Sequence, residues 1–192
     1  MTNYFLILII LISSCNSQIT KQTDMETFDV KEYNENKNLV DLHIYELENG
    51  NKIEDQGGYE DGTFTRKIIY PNSLIQTYIE FSKVGTIMKK GDFYSNDFNE
   101  GIWETYNENG EVIETIDYNR NFKFTWKDVQ NFCLKKEIDI KLYSTSIAKD
   151  KEDELVVWKV MWLHNPSEFK IFVLNGTNGN VIREEFSKVS FK

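Results

Sequence analysis

Two stretches of this chain superimpose at a constant offset of 25 residues. Tyr78, Phe81, Gly85 and Met88 align with Trp103, Tyr106, Gly110 and Ile113, and Asp92 and Phe93 then align with Asp117 and Tyr118. Each unit reads as an apolar strand, a Gly turn and a return strand. Such a unit cannot bury its apolar face alone, so neighbouring units must stack or pair. The repeat therefore commits this part of the chain to antiparallel sheet.

The surrounding sequence agrees. Short bursts rich in Ile, Thr, Tyr and Phe are separated by Gly and Asn: "FDVKEY", "LVDLHIYEL", "FTRKIIY", "LIQTYIEF", "GTIMKKGDFY", "GIWETY" and "GEVIETIDY". These read as strands. Glu48–Asn51 and Glu108–Glu111 carry the Asn-Gly signal of a tight hairpin, with Gly free to take positive φ. Pro71 and Pro166 fall between predicted strands, where a missing N–H does little harm.

"GIWETYNENGEVI" (101–113) resembles the MORN-type hairpin, through Gly101, Trp103, Tyr106 and Gly110. "TYIEFSKVGTI" (77–87) is a degenerate copy, with Tyr78 for Trp and Phe81 for Tyr. "HIYELENGNKI" keeps Gly50 but loses the aromatic spacing. A generic antiparallel meander accounts for the same alternation. The aromatics Tyr78, Phe81, Trp103 and Tyr106 are the candidate binding residues. They either line an exposed face, where rings stack on a sugar or a partner, or form the shared core of the hairpins. Apolar alternation by itself already accounts for a core.

The pattern changes after Asn121. "NFKFTWKDVQNFCLKKEID" reads as a helix, with Thr125 as N-cap and Asp128 completing a capping-box-like start. Phe124 and Val129 fit a hydrophobic staple, and Trp126, Val129, Phe132 and Cys133 share one face. Lys135 and Lys136 suit its C-terminal dipole. "ELVVWKVMWL" (154–163) puts Trp158, Val160 and Trp162 on one face and Val157, Lys159, Met161 and Leu163 on the other, the pattern of a central strand. "EFKIFVLNGTNGNVIREEF" (168–186) gives a strand, a turn and a last strand. This order resembles the PepSY-like domains of bacterial envelope proteins. The turn matches at Gly179 and departs at Asn175 and Asn178, where that family favours Asp and Thr. The resemblance implies binding or restraint of another envelope protein, with no catalytic residues to carry over.

The N-terminus supplies an address. Tyr4–Ile12 is a nine-residue apolar run, too short for a span of about 20 residues and suited to a signal peptide core. Ile12, Ser13, Ser14 and Cys15 resemble the lipobox of bacterial lipoproteins. That resemblance implies cleavage before Cys15 and membrane attachment through lipid on its sulfur. Several acyl chains anchor stably, at about 0.8 kcal/mol per buried CH₂. Asn16 follows in place of the Asp that resembles an inner-membrane retention signal, which directs the expected address to the outer membrane of a Gram-negative bacterium.

Composition excludes some partners. Residues 1–14 carry no charged side chain, so the net charge of −9 belongs to the remainder. An acidic chain lacks the basic face that nucleic acid needs. With Cys15 lipidated, Cys133 has no disulfide partner, and its apolar setting marks an inert thiol rather than a reactive one. His43 and His164 are the only histidines, and no nucleophilic triad, metal-ligand spacing or phosphate loop occurs. The carboxylates of 54–62 and 149–154 have oxygen ligands for Ca²⁺ but not EF-hand spacing, and read as solvated turns.

The expected fold is α+β. Residues 1–14 form a cleaved signal peptide and 15–27 a lipidated tether. Residues 28–120 form an antiparallel sheet of MORN-like hairpins, and 121–192 a small PepSY-like helix-and-sheet unit. Whether the two pack into one continuous sheet stays open at this point. The expected function is that of a non-enzymatic envelope lipoprotein, without cofactor or metal, that binds a protein. The alternative is a carbohydrate- or peptidoglycan-binding lipoprotein, with Trp103 and Tyr106 as stacking platform.

Overall fold

The computed structural model describes residues 26–94 and 97–188. The signal peptide, Cys15 and most of the tether lie outside the described residues. The described chain is α+β, with two antiparallel sheets and two short helices.

The first sheet is a seven-stranded meander in chain order: β1 (Leu42–Glu46), β2 (Lys52–Gln56), β3 (Phe64–Ile69), β4 (Ile75–Phe81), β5 (Ile87–Tyr94), β6 (Phe98–Tyr106) and β7 (Val112–Asp117). Three of its hairpins share one turn. The N–H groups of Gly50, Gly85 and Gly110 donate to Leu47, Ser82 and Asn107 carbonyls at 2.8, 2.9 and 2.9 Å. Those glycines have φ of 80°, 85° and 76°, whereas Asn49 and Asn109 are not in the left-handed region. The Asn-Gly pairs therefore do not make two-residue type I′ loops, which need positive φ at both residues. They make type I turns closed by a left-handed Gly, and the bulge that follows shifts register after Glu80 and Thr105.

Residues 28–36 correct the sequence reading. "FDVKEY" begins as a strand-like alternation, but Asp29 accepts the Glu32 N–H at 2.8 Å and starts helix α1 (Val30–Asn36). A side-chain cap here competes successfully with strand pairing. Phe28 and Tyr33 close the inner face of the meander over Phe64, Ile79, Phe81 and Ile87, with Phe28 stacked on Phe64 at 4.7 Å.

Helix α2 (Trp126–Lys135) has the expected capping box at Thr125 and Asp128, and buries Trp126, Val129 and Cys133. It packs on a second sheet of β8 (Thr145–Glu152), β9 (Leu155–Asn165), β10 (Glu168–Asn175) and β11 (Val181–Lys188), in the order β11-β10-β9-β8. β9 is central, as its two apolar faces require. The turn before β11 closes with Gly179 at φ 75°, where a Cβ would stand 2.2 Å from the Phe124 ring.

Among the described residues the two sheets do not join by strand pairing. They share a core instead: Tyr94 and Phe98, at the β5–β6 end of the meander, lie among Trp126, Val129, Ile147, Trp158 and Phe172. Lys149 crosses this junction with a side chain only 8% exposed. Its ammonium donates to Glu100 Oε2 at 2.6 Å, to the Asn99 carbonyl at 3.1 Å and to Asn119 Oδ1. The rings of Phe98, Trp158 and Phe122 surround it at 5.0, 5.2 and 5.5 Å. Lys149→Met should remove that charge and leave the mostly buried Glu100 without its counter-ion, with the Asn119 amide as its remaining donor. The expected loss is about 3 kcal/mol, read as a lower urea midpoint at unchanged slope. A midpoint within experimental error of the parent would show that the junction does not depend on this ion pair.

Candidate functional site: the outer face of the meander

The four aromatic candidates separate onto two faces. Side chains along a strand alternate, so residues three apart point to opposite sides. Phe81 and Tyr106 face inward. Phe81 is 0% exposed in the core, and Tyr106 packs against the same cluster while its hydroxyl donates to Glu104 at 2.6 Å. Burial first, and then Glu104, raise the Tyr106 hydroxyl above its ordinary value. Tyr78 and Trp103 lie together on the outer face, 6.0 Å apart and tilted by 21°. The stacking platform expected of Trp103 and Tyr106 therefore does not form: the sheet lies between them.

A bulge sets the position of Trp103. Lys90 pairs with Glu104 and Asp92 with Glu100, so Gly91 alone stands opposite Gly101, Ile102 and Trp103. The extra residues re-aim the indole across the strand. Its ring lies over Gly91, where a Cβ would come within 2.2 Å of it. The indole N–H donates to the Asp92 carbonyl at 2.8 Å, and the Lys89 ammonium sits 5.2 Å from the ring centre. Trp103 is 8% exposed, so Tyr78 is the more accessible ring. Burial first, and then Glu80, push the Tyr78 hydroxyl up to about 12.

Beside these rings runs an open groove of 370 Å³, lined among others by Gln56, Tyr59, Lys67, Tyr78, Asn99 and Trp103. It combines aromatic rings, two amides and one ammonium on a hydrogen-bonded sheet. These groups offer stacking, amide donors and acceptors, and a positive charge. Sequence reasoning did not select Gln56, Lys67 or Asn99, which come from three different strands. Gly91 was the available signal, because a glycine inside a strand marks the close approach of another group.

The remaining chemical candidates are engaged elsewhere. His43 stacks on Tyr45 at 4.7 Å on the inner face, and His164 stands 6.2 Å from Phe186. Asp55 is not in a solvated turn. It is buried and accepts both Arg66 Nε and Nη2, at 2.7 and 2.8 Å. The run 149–154 is likewise mostly strand β8, with Asp150 and Glu152 accepting from Lys159 at 2.5 and 2.9 Å. Arg183 and Lys159 hold the Glu152 carboxyl down at about 2. Among the described residues, no three His, Cys, Asp or Glu side chains group as metal ligands do. Cys133 is 1% exposed, and burial pushes its thiol up to about 12.

Gly91→Ala should displace the indole, giving a red-shifted tryptophan emission and a loss of about 1–3 kcal/mol in denaturant. Unchanged emission would mean that Trp103 does not rest on Gly91. Cys133 should resist an aromatic disulfide reagent at pH 8 until urea unfolds the chain. Rapid labelling of the native protein would contradict its burial.

Comparison with known protein families, with curated proteins and with solved structures finds no match to this chain, so the geometry of the site carries the functional reading.

Proposed function

We propose that this chain is a non-enzymatic, lipid-anchored envelope protein that binds a protein partner through the outer face of its meander. The observation that carries the reading is the placement of Tyr78 beside Trp103 and Lys67 on a fixed sheet, next to an open groove. Aromatic rings flanked by polar groups are what protein interfaces use as anchors. The helix-and-sheet unit with its Gly179 turn is compatible with the PepSY-like resemblance, and the paired hairpins with the MORN-like one.

The anchor reading rests on Ile12, Ser13, Ser14 and Cys15. Among the described residues no helix is long and apolar enough to cross a membrane. The described chain enters the fold at one end of the meander. Thr27 bridges Thr86 at one end of β5, and Tyr94, at the other end, enters the core shared with the second sheet. Eight residues of strand separate the two ends by about 25 Å. The expected tether would join the fold at the Thr27 end, opposite the end that carries the second sheet. Asn16 supports the outer membrane as address.

The groove also supports a glycan-binding reading, because Gln56, Lys67 and Asn99 could bond sugar hydroxyls beside Tyr78. One experiment separates the two. A photo-crosslinking residue at Lys67 should yield a single protein adduct in cells, reduced at least tenfold by Tyr78→Ala. Co-sedimentation with peptidoglycan that Tyr78→Ala abolishes, without any protein adduct, would favour the glycan. Cells fed a labelled fatty acid should label the parent and not Cys15→Ser; an unlabelled parent would overturn the anchor.

A further inference from the structure

The free edge of the second sheet is self-complementary. β11 is eight residues long, pairs among the described residues only with β10, and is exposed along its whole length. Its apolar residues are exposed too, with Val181 at 41%, Ile182 at 42% and Phe186 at 57%. Edge strands are normally blunted by charged side chains, proline, bulges or a covering segment; β11 carries Arg183, Glu184, Glu185 and Lys188, so a second strand fits only in a register that pairs those charges. The irregularity in β11 lies at its start, opposite Val173 and Leu174 of β10, and the strand contains no proline.

We propose that β11 pairs antiparallel with β11 of a second copy of this chain, with the two-fold axis at Glu184. A two-fold axis normal to a sheet keeps each side chain on its own face, so it must pass beside a residue. With the axis at Glu184, Ile182 stands opposite Phe186, Arg183 opposite Glu185, and Val181 opposite Ser187. Each apolar and each opposite-charge match occurs twice. Opposite charges and apolar pairs directly across a sheet are the favourable cross-strand combinations. The one like-charge pair, Glu184 against Glu184, is offset in each copy by Lys170, whose ammonium lies 2.8 Å from the Glu184 carboxylate. Moving the axis by one residue brings Arg183 onto Arg183 or Glu185 onto Glu185. Two four-stranded sheets would thus become one of eight strands.

The other edges fit a second copy less well. The start of β8 is already bonded to the meander, with the Ile147 N–H donating to Asp97 Oδ2 at 3.1 Å. The start of β1 exchanges hydrogen bonds with Asn38. The charged residues of β7, Glu114 and Asp117, are both acidic.

The test uses the mature chain, residues 15–192, carrying Cys15→Ser, so that neither lipid nor the apolar run Tyr4–Ile12 can associate the copies and the buried Cys133 is the remaining thiol. Sedimentation over a hundredfold concentration range should show a reversible dimer. Arg183→Glu should weaken it at least tenfold, and Arg183→Glu with Glu185→Arg should restore it, because the swapped pair still meets across the axis. A thermal melt controls for folding, since Arg183 also bonds Glu152 of β8 and Glu185 of its own strand. Glu184→Cys should form a covalent dimer under mild oxidation, and Val181→Cys should not. A monomer at every concentration, no rescue by the swap, or equal crosslinking of the Val181→Cys and Glu184→Cys variants would each overturn the proposal. Capture of a monomeric Glu184→Cys variant by another envelope protein would assign the edge to that protein and overturn it as well.

Discussion

The ammonium of Lys149 is the point on which the arrangement of the two sheets turns. It has three N–H donors, and Glu100, Asn99 and Asn119 supply an acceptor for each. Burial lowers its basicity, while Glu100 acts in the opposite direction. A charge this enclosed is tolerated only when its donors are satisfied and its counter-ion is close. Meeting that condition brings β8, the start of β6 and the segment after β7 to one point. It also orients the rings that form the shared core, because Phe98 and Trp158 are both members of the cage and of that core.

With that junction formed, the meander is held at both ends. At one end α1 and Phe28 cover the inner face around Phe81. At the other, Tyr94 donates through its hydroxyl to the Ile140 carbonyl at 2.5 Å. Among the described residues no element covers the outer face. Its aromatic residues are ordered from below, by the bulge at Gly91 and the hydrogen bond from Trp103 to Asp92. A ring fixed in this way loses little further freedom on binding, which favours recognition by a preorganised surface. The 25-residue repeat thus has two outputs: its first aromatic position builds the outer face, and its second builds the core.

Some of these features are legible in the chain and others are not. Thr125 and Asp128 were readable as a capping box because a cap involves residues three apart. β9 was readable as central because its apolar residues alternate on both faces. The helix at Val30–Asn36 was not, because Phe28 and Val30 alternate like a strand and one Asp side chain decides the outcome. The two faces of the repeat were implicit in its spacing, since Tyr78 and Phe81 are three apart in a strand. The groove was not, because Gln56, Lys67 and Asn99 become neighbours only when separate strands pair.

Charge hid β8, whose far end reads as a solvated turn, and α1 begins as a strand-like alternation, but sequence by itself determined the other strands, the Gly-closed turns, the capped second helix and the inert setting of Cys133. Each depends on local periodicity or on residues within one turn of each other. Tertiary structure alone decided that the two sheets share a core rather than an edge. It also decided that Asp55 serves Arg66, that Lys149 bonds Glu100, and that Trp103 lies over Gly91. These contacts join groups that are 11, 49 and 12 positions apart along the chain. Their partners are chosen by strand register and by the need to satisfy buried charge, and neither is written in any single stretch of the chain.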